Sequence, residues 1–570
     1  MLRPKQNICR ECFELSKIWK IRKSNDKTSR PIAISASWNE QCEDLFFEEG
    51  PLEYEYELEV PKQWSDKRIR LYFGAVNTRS QIYIDDQLVK ENSIGYLPFD
   101  VEMNKFIKFG EKQKLRVIVE NHLLHDGFPS GNMPESLERG KNFPPTNFDF
   151  FPYGGIIRPV FLEATSREAI LDVKFKTDRS LPNKQLGVVD LKIKVTEESV
   201  GKDIEVQFAG KRIREKINDA NCNFNIEVEN AHFWSMEEPF LYDLEVAILS
   251  GGDELDRYNL KVGIRTISRD EKHILLNEKP VKLLGFGKHE EFPVEGQGTF
   301  LPLVIKDFDL LKWIGANSFR TSHYPYSEEW LDMADELGFL IIDEAPHVGI
   351  EKYHIDNEET VKLCVNNIQR LVDRDKNHPS VIMWSVANEP DSAYPKADEF
   401  FKKLYDAAKT SDPTRLVTMV SCVPFCPKSG GPDVAMKHFD VISVNRYYGW
   451  YKLQGKIEEA QKVLSDELDE LYQRYKRPIV VTEFGADAIA GFHSNPLQMF
   501  SEEYQSQYIE AMIKVMNGKD FVSGTHVWAF ADFKTAQNIH RPLFNHKGVF
   551  TRTREPKLVA HTLRKLWKEK

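Results

Sequence analysis

Apolar and polar residues follow two rhythms along this 570-residue chain. In the first half the period is two. Residues 52–60, Leu-Glu-Tyr-Glu-Tyr-Glu-Leu-Glu-Val, alternate as a strand with one wet face does. Short β-like runs follow at 68–73, 80–84, 115–120 and 157–163, separated by Gly, Pro, Asn and Asp, the pattern of a sandwich. A second β block, about 170–265, places strands near 187–195, 203–208, 223–228 and 241–248. Its size of about 100 residues suits an immunoglobulin-like sandwich.

After about residue 270, short apolar runs alternate with longer amphipathic stretches, the rhythm of parallel β/α units. Strands are predicted at Val281–Phe286, Ser318–Ser322, Phe339–Asp343, Val381–Val386, Leu416–Val420, Val441–Asn445, Ile479–Glu483 and Thr525–Phe530. Helices are predicted over 358–375, with a stripe of Val361, Val365, Ile368, Leu371 and Val372, and over 457–475, with Ile457, Ala460, Leu464, Leu468, Leu471 and Tyr475. A last helix is predicted over Leu558–Lys570. Eight strands in about 290 residues is the count and length of a closed barrel. An open doubly wound sheet is the alternative, but its glycine-rich phosphate loop is missing. The expected fold is therefore multidomain: two N-terminal all-β sandwiches, then a C-terminal (β/α)8 TIM barrel.

Composition narrows the function classes. The chain is 41% hydrophobic and 29% charged, as an ordinary globular protein is. With 77 Lys and Arg against 88 Asp and Glu, the net charge is −11, and no basic run tracks a phosphate backbone, so no nucleic-acid partner is expected. No stretch approaches the ~20 apolar residues of a membrane span, so no membrane role is expected. Met1-Leu2-Arg3-Pro4-Lys5-Gln6-Asn7 lacks the apolar core of a signal peptide, which points to the cytoplasm. Seven scattered cysteines fit reduced thiols better than a disulfide framework. Neither Cys9-x-x-Cys12 nor Cys422-x-x-x-Cys426 is followed by a second ligand pair, and no metal or cofactor is expected.

The chemistry is sought at the C-terminal ends of the barrel strands, where such barrels carry their active sites. Strand four ends in Asn388-Glu389-Pro390 and strand seven in Thr482-Glu483-Phe484-Gly485. Strand two gives His323-Tyr324-Pro325, strand three Asp343-Glu344, strand six Asn445-Arg446-Tyr447-Tyr448, and strand eight Trp528. Glycoside hydrolysis needs two carboxylates across one mouth, one to protonate the leaving oxygen and one to attack or activate water at the anomeric carbon. Strands four and seven lie three apart around the ring, so their end residues can face each other. Paired-His spacing for a metal and a G-x-S-x-G elbow for a serine nucleophile are both missing.

Five stretches resemble glycoside hydrolase family 2, and within it the bacterial glucuronide-hydrolysing members. They are Asp149-Phe150-Phe151 with Gly155-Ile156-Ile157-Arg158-Pro159, then Trp313–Pro325, Asn377–Pro390, Asn445–Tyr451 and Trp528–Phe533, so the resemblance covers essentially the whole chain. It implies a jelly-roll sugar-binding domain over 1–166, an immunoglobulin-like sandwich over 167–268 and a catalytic barrel over 269–570. It implies retaining, exo-acting hydrolysis of β-D-glucuronides by double displacement, with Glu389 as acid/base and Glu483 as nucleophile. Asn388 would bond the 2-hydroxyl, and Tyr447 would sit beside Glu483. Asp149, reaching in from the first domain, and His323 would contact ring hydroxyls. Trp528 would supply an apolar platform, and Tyr451 would line the site. The uronate carboxylate would be gripped by Asn545-His546-Lys547 before Gly548, with Arg541 upstream adding charge. A neutral hydroxymethyl group would leave that Lys unpaired. The resemblance admits a homo-oligomer. The segment from His347 to Glu358 is short where some such enzymes carry an insertion over the aglycone, which implies an open aglycone side. A β-galacturonide or neutral-sugar enzyme, or a binding protein without catalysis, are the competing readings.

Overall fold

A computed structural model describes residues 1–131, 142–425 and 429–568. The first β domain is a sandwich of two antiparallel sheets. Four strands order as Glu11–Glu14, Val160–Thr165, Arg68–Phe73 and Phe99–Glu102, and six as Arg30–Ala33, Ile18–Lys23, Leu52–Glu59, Lys112–Glu120, Arg79–Ile84 and Gln87–Asn92. The alternation at 52–60 does what its period requires. Leu52, Tyr54 and Leu58 enter the core beside Trp19, Trp38 and Trp64, while the buried carboxylate of Glu53 takes Arg22 at 2.8 Å. The second domain packs a three-stranded sheet (Ile170–Lys176, Gly187–Val195, Asn221–Val228) on a four-stranded one (Lys211–Lys216, Asp203–Phe208, Tyr242–Ser250, Asp253–Val262). The seven strands are those of an immunoglobulin-like sandwich.

The eight predicted barrel strands all form and close in sequence order. They are Leu283–Gly287, Ser318–Arg320, Leu340–Glu344, Val381–Asn388, Leu416–Ser421, Ile442–Asn445, Ile479–Glu483 and Val522–Trp528. Their near-continuous apolar runs reflect burial on both faces. A three-stranded antiparallel sheet (Ile267–Arg269, Ile274–Leu276, Lys279–Val281) closes the barrel floor. Ile274 and Leu276 pack there with Trp234 of the second domain against Leu283, Leu340, Leu416 and Val480, near the starts of four barrel strands.

The helices come where the pattern puts them, with two differences. Helix Glu358–Asp375 buries Thr360, Cys364, Asn367, Ile368, Leu371 and Val372, so the buried stripe lies beside Val361 and Val365, which are only partly covered. Between the fifth and sixth strands the described residues hold a single 3-10 turn, Met436–His438, in place of an α-helix. The last helix is Leu558–Lys568, and the final two residues predicted for it lie outside the described ones. Among the described residues no helix is long and apolar enough to cross a membrane. Cys9, Cys12, Cys42, Cys222 and Cys364 are free thiols, whereas Cys422 is disulfide-bonded, contrary to the expectation of reduced thiols throughout. Cys426 lies outside the described residues.

Two of the sequence stretches prove to be joints. The buried Arg158 of G-I-I-R-P donates to the carbonyls of Tyr96 at 2.6 Å and Pro325 at 2.7 Å and pairs with Glu290 at 3.2 Å, locking the first domain to the mouth of barrel strand two. Tyr96 stacks on Tyr324 with centroids 4.5 Å apart. Asn377 of N-H-P clamps the second domain: its Oδ1 accepts from Phe175 N at 2.9 Å and its Nδ2 donates to Val173 O at 2.8 Å. His378 beside it meets Asp335 at 2.6 Å.

Burial alone would lower the His378 pKa, but the Asp335 carboxylate overrides it and pushes the imidazole up to about 9. A folded pKa above the unfolded one gives stability that is fully present below about pH 6.5 and lost as pH rises through about 9. Wild type minus His378→Gln should therefore fall in melting midpoint between those limits, by up to about 3 kcal/mol of stability. Parallel curves for the two proteins would remove His378 from the pH dependence.

Candidate active site

The rim of the barrel is organised outward from one buried arginine. Arg320 ends the second barrel strand, has no exposed surface, and sends its guanidinium across the barrel. Nη1 donates to both oxygens of Glu344 at 2.8 Å, and Nη2 donates to Glu483 Oε1. Glu344, at the end of strand three, also takes Ser385 Oγ at 2.7 Å and His323 Nδ1 at 2.8 Å. Burial would raise the Glu344 pKa, but Arg320 and His323 hold it below the usual carboxylate range. An ionised carboxylate only accepts, so His323 Nδ1 carries a hydrogen toward Glu344, and Nε2 lies 3.8 Å from Glu483 Oε1.

Glu483, the last residue of strand seven, is 4% exposed. Besides Arg320 it accepts the Tyr447 hydroxyl at 2.7 Å. Burial and the Glu483 carboxylate push the Tyr447 hydroxyl well above its ordinary pKa, so it remains a donor. Glu389 follows strand four and lies in the left-handed region at φ 47°. A non-glycine residue there costs about 1–3 kcal/mol, so the surrounding structure must hold it. The ladder between strands four and five shifts register between Ser385 and Asn388, the Glu389 amide donates to Val420 O at 2.9 Å, and Asn445 Nδ2 donates to Glu389 Oε1 at 2.9 Å. Asn445 also reaches Asn388 Oδ1 at 3.2 Å, so one amide from strand six spans both residues of N-E.

Both glutamates line a cavity of about 850 Å³, together with the sequence-predicted Asp149, His323, Asn388, Tyr447, Tyr451, Trp528, Arg541 and Asn545. Trp528 stacks on His323 with centroids 5.1 Å apart and is 5% exposed, a platform fixed from behind. Tyr451 is 42% exposed and its hydroxyl accepts from Arg541 Nη2 at 2.5 Å, so it is a rim residue and not core. Asp149 does reach in from the first domain, and its partners are protein donors: Arg541 Nε at 2.9 Å and Nη2 at 2.7 Å, and Asn545 Nδ2 at 2.9 Å.

Lys547 alone of the predicted residues is absent from the cavity wall. It is 1% exposed, with its ammonium on the Asp487 carboxylate and 4.9 and 5.3 Å from the ring centroids of Tyr451 and Trp450. Asp487, Tyr451 and Trp450 do line the cavity, so the charge lies one layer behind its surface. Burial would raise Asp487, but Lys547 and then Arg541 hold it below the ordinary carboxylate range. Sequence reasoning missed Asp487, Arg320 and the roles of Glu344 and Asn445. A charged residue closing an apolar barrel strand, as in S-F-R, was the available signal for Arg320. Asp487 sits in a loop with no periodicity to mark it.

Comparison with known proteins bears on all three domains. Residues 267–570 match the TIM barrel domain of glycosyl hydrolases family 2, residues 157–265 match glycosyl hydrolases family 2, and residues 19–166 match the family's sugar binding domain. A β-glucuronidase of Paenibacillus borealis is 37% identical, covering 100% of this chain and 99% of the relative. The β-D-glucuronidase structure from Dictyoglomus thermophilum superposes with a TM-score of 0.91 at 38% identity, covering 100% of this chain and 99% of that one. A β-glucuronidase from Ruminococcus gnavus in complex with D-glucaro-d-lactam gives a TM-score of 0.90 at 34% identity, again covering 100% and 99%. The jelly-roll, immunoglobulin-like and barrel architecture is thus the family's own, and the chain belongs to glycosyl hydrolase family 2.

Proposed function

We propose that the chain is a retaining, exo-acting β-D-glucuronidase. The observation that carries the reading is that two strand-end glutamates and the donors Arg541 and Asn545 line one cavity, with Lys547 one layer behind, in a chain whose full-length relatives bear that name. Glu389 donates a proton to the leaving oxygen as Glu483 attacks the anomeric carbon, and Glu389 then takes a proton from the water that releases the sugar. Arg320 and Tyr447 hold one Glu483 oxygen each, which aims the carboxylate and fixes its rotamer. Asn388, braced by Asn445, bonds the 2-hydroxyl in this reading, and His323 a neighbouring hydroxyl; both line the cavity. The uronate carboxylate meets Arg541 and Asn545 at the wall, with the Lys547 charge behind them. Phe148, Met499 and Phe500 line the same cavity beyond the sugar groups, an apolar surface that suits an aglycone. The domain seams are best set at 1–166, 167–268 and 269–570.

A panel of matched aryl β-glycosides tests the assignment. The glucuronide should have the highest kcat/KM, ahead of the galacturonide and far ahead of the neutral glucoside and galactoside. Comparable turnover of a neutral sugar would contradict it.

The two glutamates should separate by leaving group. Glu483→Gln should lose turnover with every aglycone. Glu389→Gln should slow poor leaving groups by about 10²–10⁴-fold and activated phenolates far less, since these need little protonation. Equal losses across the series in the glycosylation step would take the acid role from Glu389.

Lys547→Ala should weaken glucuronide hydrolysis by about 30-fold to several thousand-fold, the range for about 2–5 kcal/mol lost from a buried charge pair. Neutral glucoside turnover, where measurable, should hold or improve. Asn545→Ala should act in the same direction and less severely, since a neutral donor contributes less than a charged one. A uniform loss on charged and neutral sugars alike would make Lys547 a structural residue.

A further inference from the structure

The donors assigned to the uronate already carry protein carboxylates. Arg541 and Asn545 both donate to Asp149, and Lys547 is bound to Asp487. Arg541 also lies 3.9 Å from Asp487, so the chain Asp149–Arg541–Asp487–Lys547 alternates in sign and is formally neutral. A uronate adds one negative charge to a set that has no cation to spare. One internal carboxylate must yield, or three anions share two cations.

The surroundings decide which. Asp487 is 4% exposed at its side chain and is held by Lys547, by Arg541 and by the His546 amide at 2.9 Å. Asp149 is 40% exposed at its side chain and is held by Arg541 and Asn545, the two groups the substrate would claim. Asp487 is a fixed part of the wall. Asp149 sits on the loop that leads into Arg158, half-exposed, and can turn away without uncovering a buried charge of its own.

We propose that Asp149 is a specificity-determining residue that acts as an internal competitor: it occupies Arg541 and Asn545, and the substrate's carboxylate takes its place. This rests on the glucuronidase reading and adds to it. A uronate exchanges one charge-assisted pair for another of the same kind. A neutral sugar has nothing to offer Arg541 in exchange, so it must leave the Asp149 pair standing in the pocket or break it uncompensated. The apparent affinity for a uronate is then reduced by the fraction of molecules in which Arg541 is free of Asp149.

The test uses the full chain and two non-hydrolysable competitive ligands, a 4-nitrophenyl thio-β-glucuronide and the matching thio-β-glucoside, which share their ring hydroxyls and differ only at C6, carboxylate against hydroxymethyl. The quantity read is Ki(glucoside)/Ki(glucuronide), in which any hydroxyl contact of residue 149 cancels. Asp149→Asn should raise that ratio about fivefold or more by relieving the competition. In a crystal structure of the wild-type complex with the thioglucuronide, Arg541 should carry the ligand's carboxylate and be parted from Asp149. An unchanged or lower ratio in Asp149→Asn, or Arg541 still paired to Asp149 with the ligand seated, would overturn the exchange and leave the glucuronidase reading intact. A wild-type protein with no preference between the two ligands would overturn both.

Discussion

The buried guanidinium of Arg320 is the interaction on which the site depends. It has no contact with solvent, and among the described residues its charge is balanced by Glu344 and Glu483 alone. Removing one partner of such a buried pair costs about 3–5 kcal/mol, because the remaining charge is stranded. Strands two, three and seven are therefore tied at their ends by a single cation, and Glu344 passes the constraint on to His323 and Ser385. Glu483 cannot rotate away from the cavity without leaving Arg320 half-paired. The position of Glu483 is thus set by barrel closure and not by a loop.

The first domain completes what the barrel begins. Arg158 and the Tyr96–Tyr324 stack pin it to the mouth of strand two, and the loop that leads into Arg158 delivers Asp149 to the far wall. The second domain contributes no cavity residue. It seals the floor through Trp234 and grips the barrel through Asn377. The three domains accordingly divide into a catalytic ring, a wall supplied from outside and a base. Neutralised charge at the wall, in a protein of net charge −11, makes recognition of an anionic sugar a matter of local exchange and not of bulk attraction.

How much of this was legible depends on whether a residue's environment leaves a period. All eight barrel strands showed themselves because they are buried on both faces and most read as short, largely apolar runs between amphipathic stretches. The strands Gln87–Asn92 and Lys211–Lys216 did not, since both are sheet edges exposed over most of their length. The stripe on helix Glu358–Asp375 was right at Ile368, Leu371 and Val372 and one position off at its start, where Thr360 and Cys364 are buried while Val361 and Val365 are only partly so. Both glutamates were legible from their strand ends, and Asp149 and Arg541 from family resemblance. That those two pair with each other was not legible, because they are separated by 392 positions and no periodicity links them. Lys547 was expected to face the sugar, and its place behind Asp487 depends on a residue that carries no sequence signal.

The central claim is that Glu483 forms a covalent bond to a glucuronyl group. Incubation with 2-deoxy-2-fluoro-β-D-glucuronyl fluoride, whose fluorine slows release of the intermediate, followed by proteolysis and mass spectrometry of the peptides, tests it directly. The account predicts one fluoroglucuronyl group per chain, on Glu483, with activity lost in step. A label on any other residue, or unlabelled protein that turns the reagent over to the inverted anomer, would contradict it.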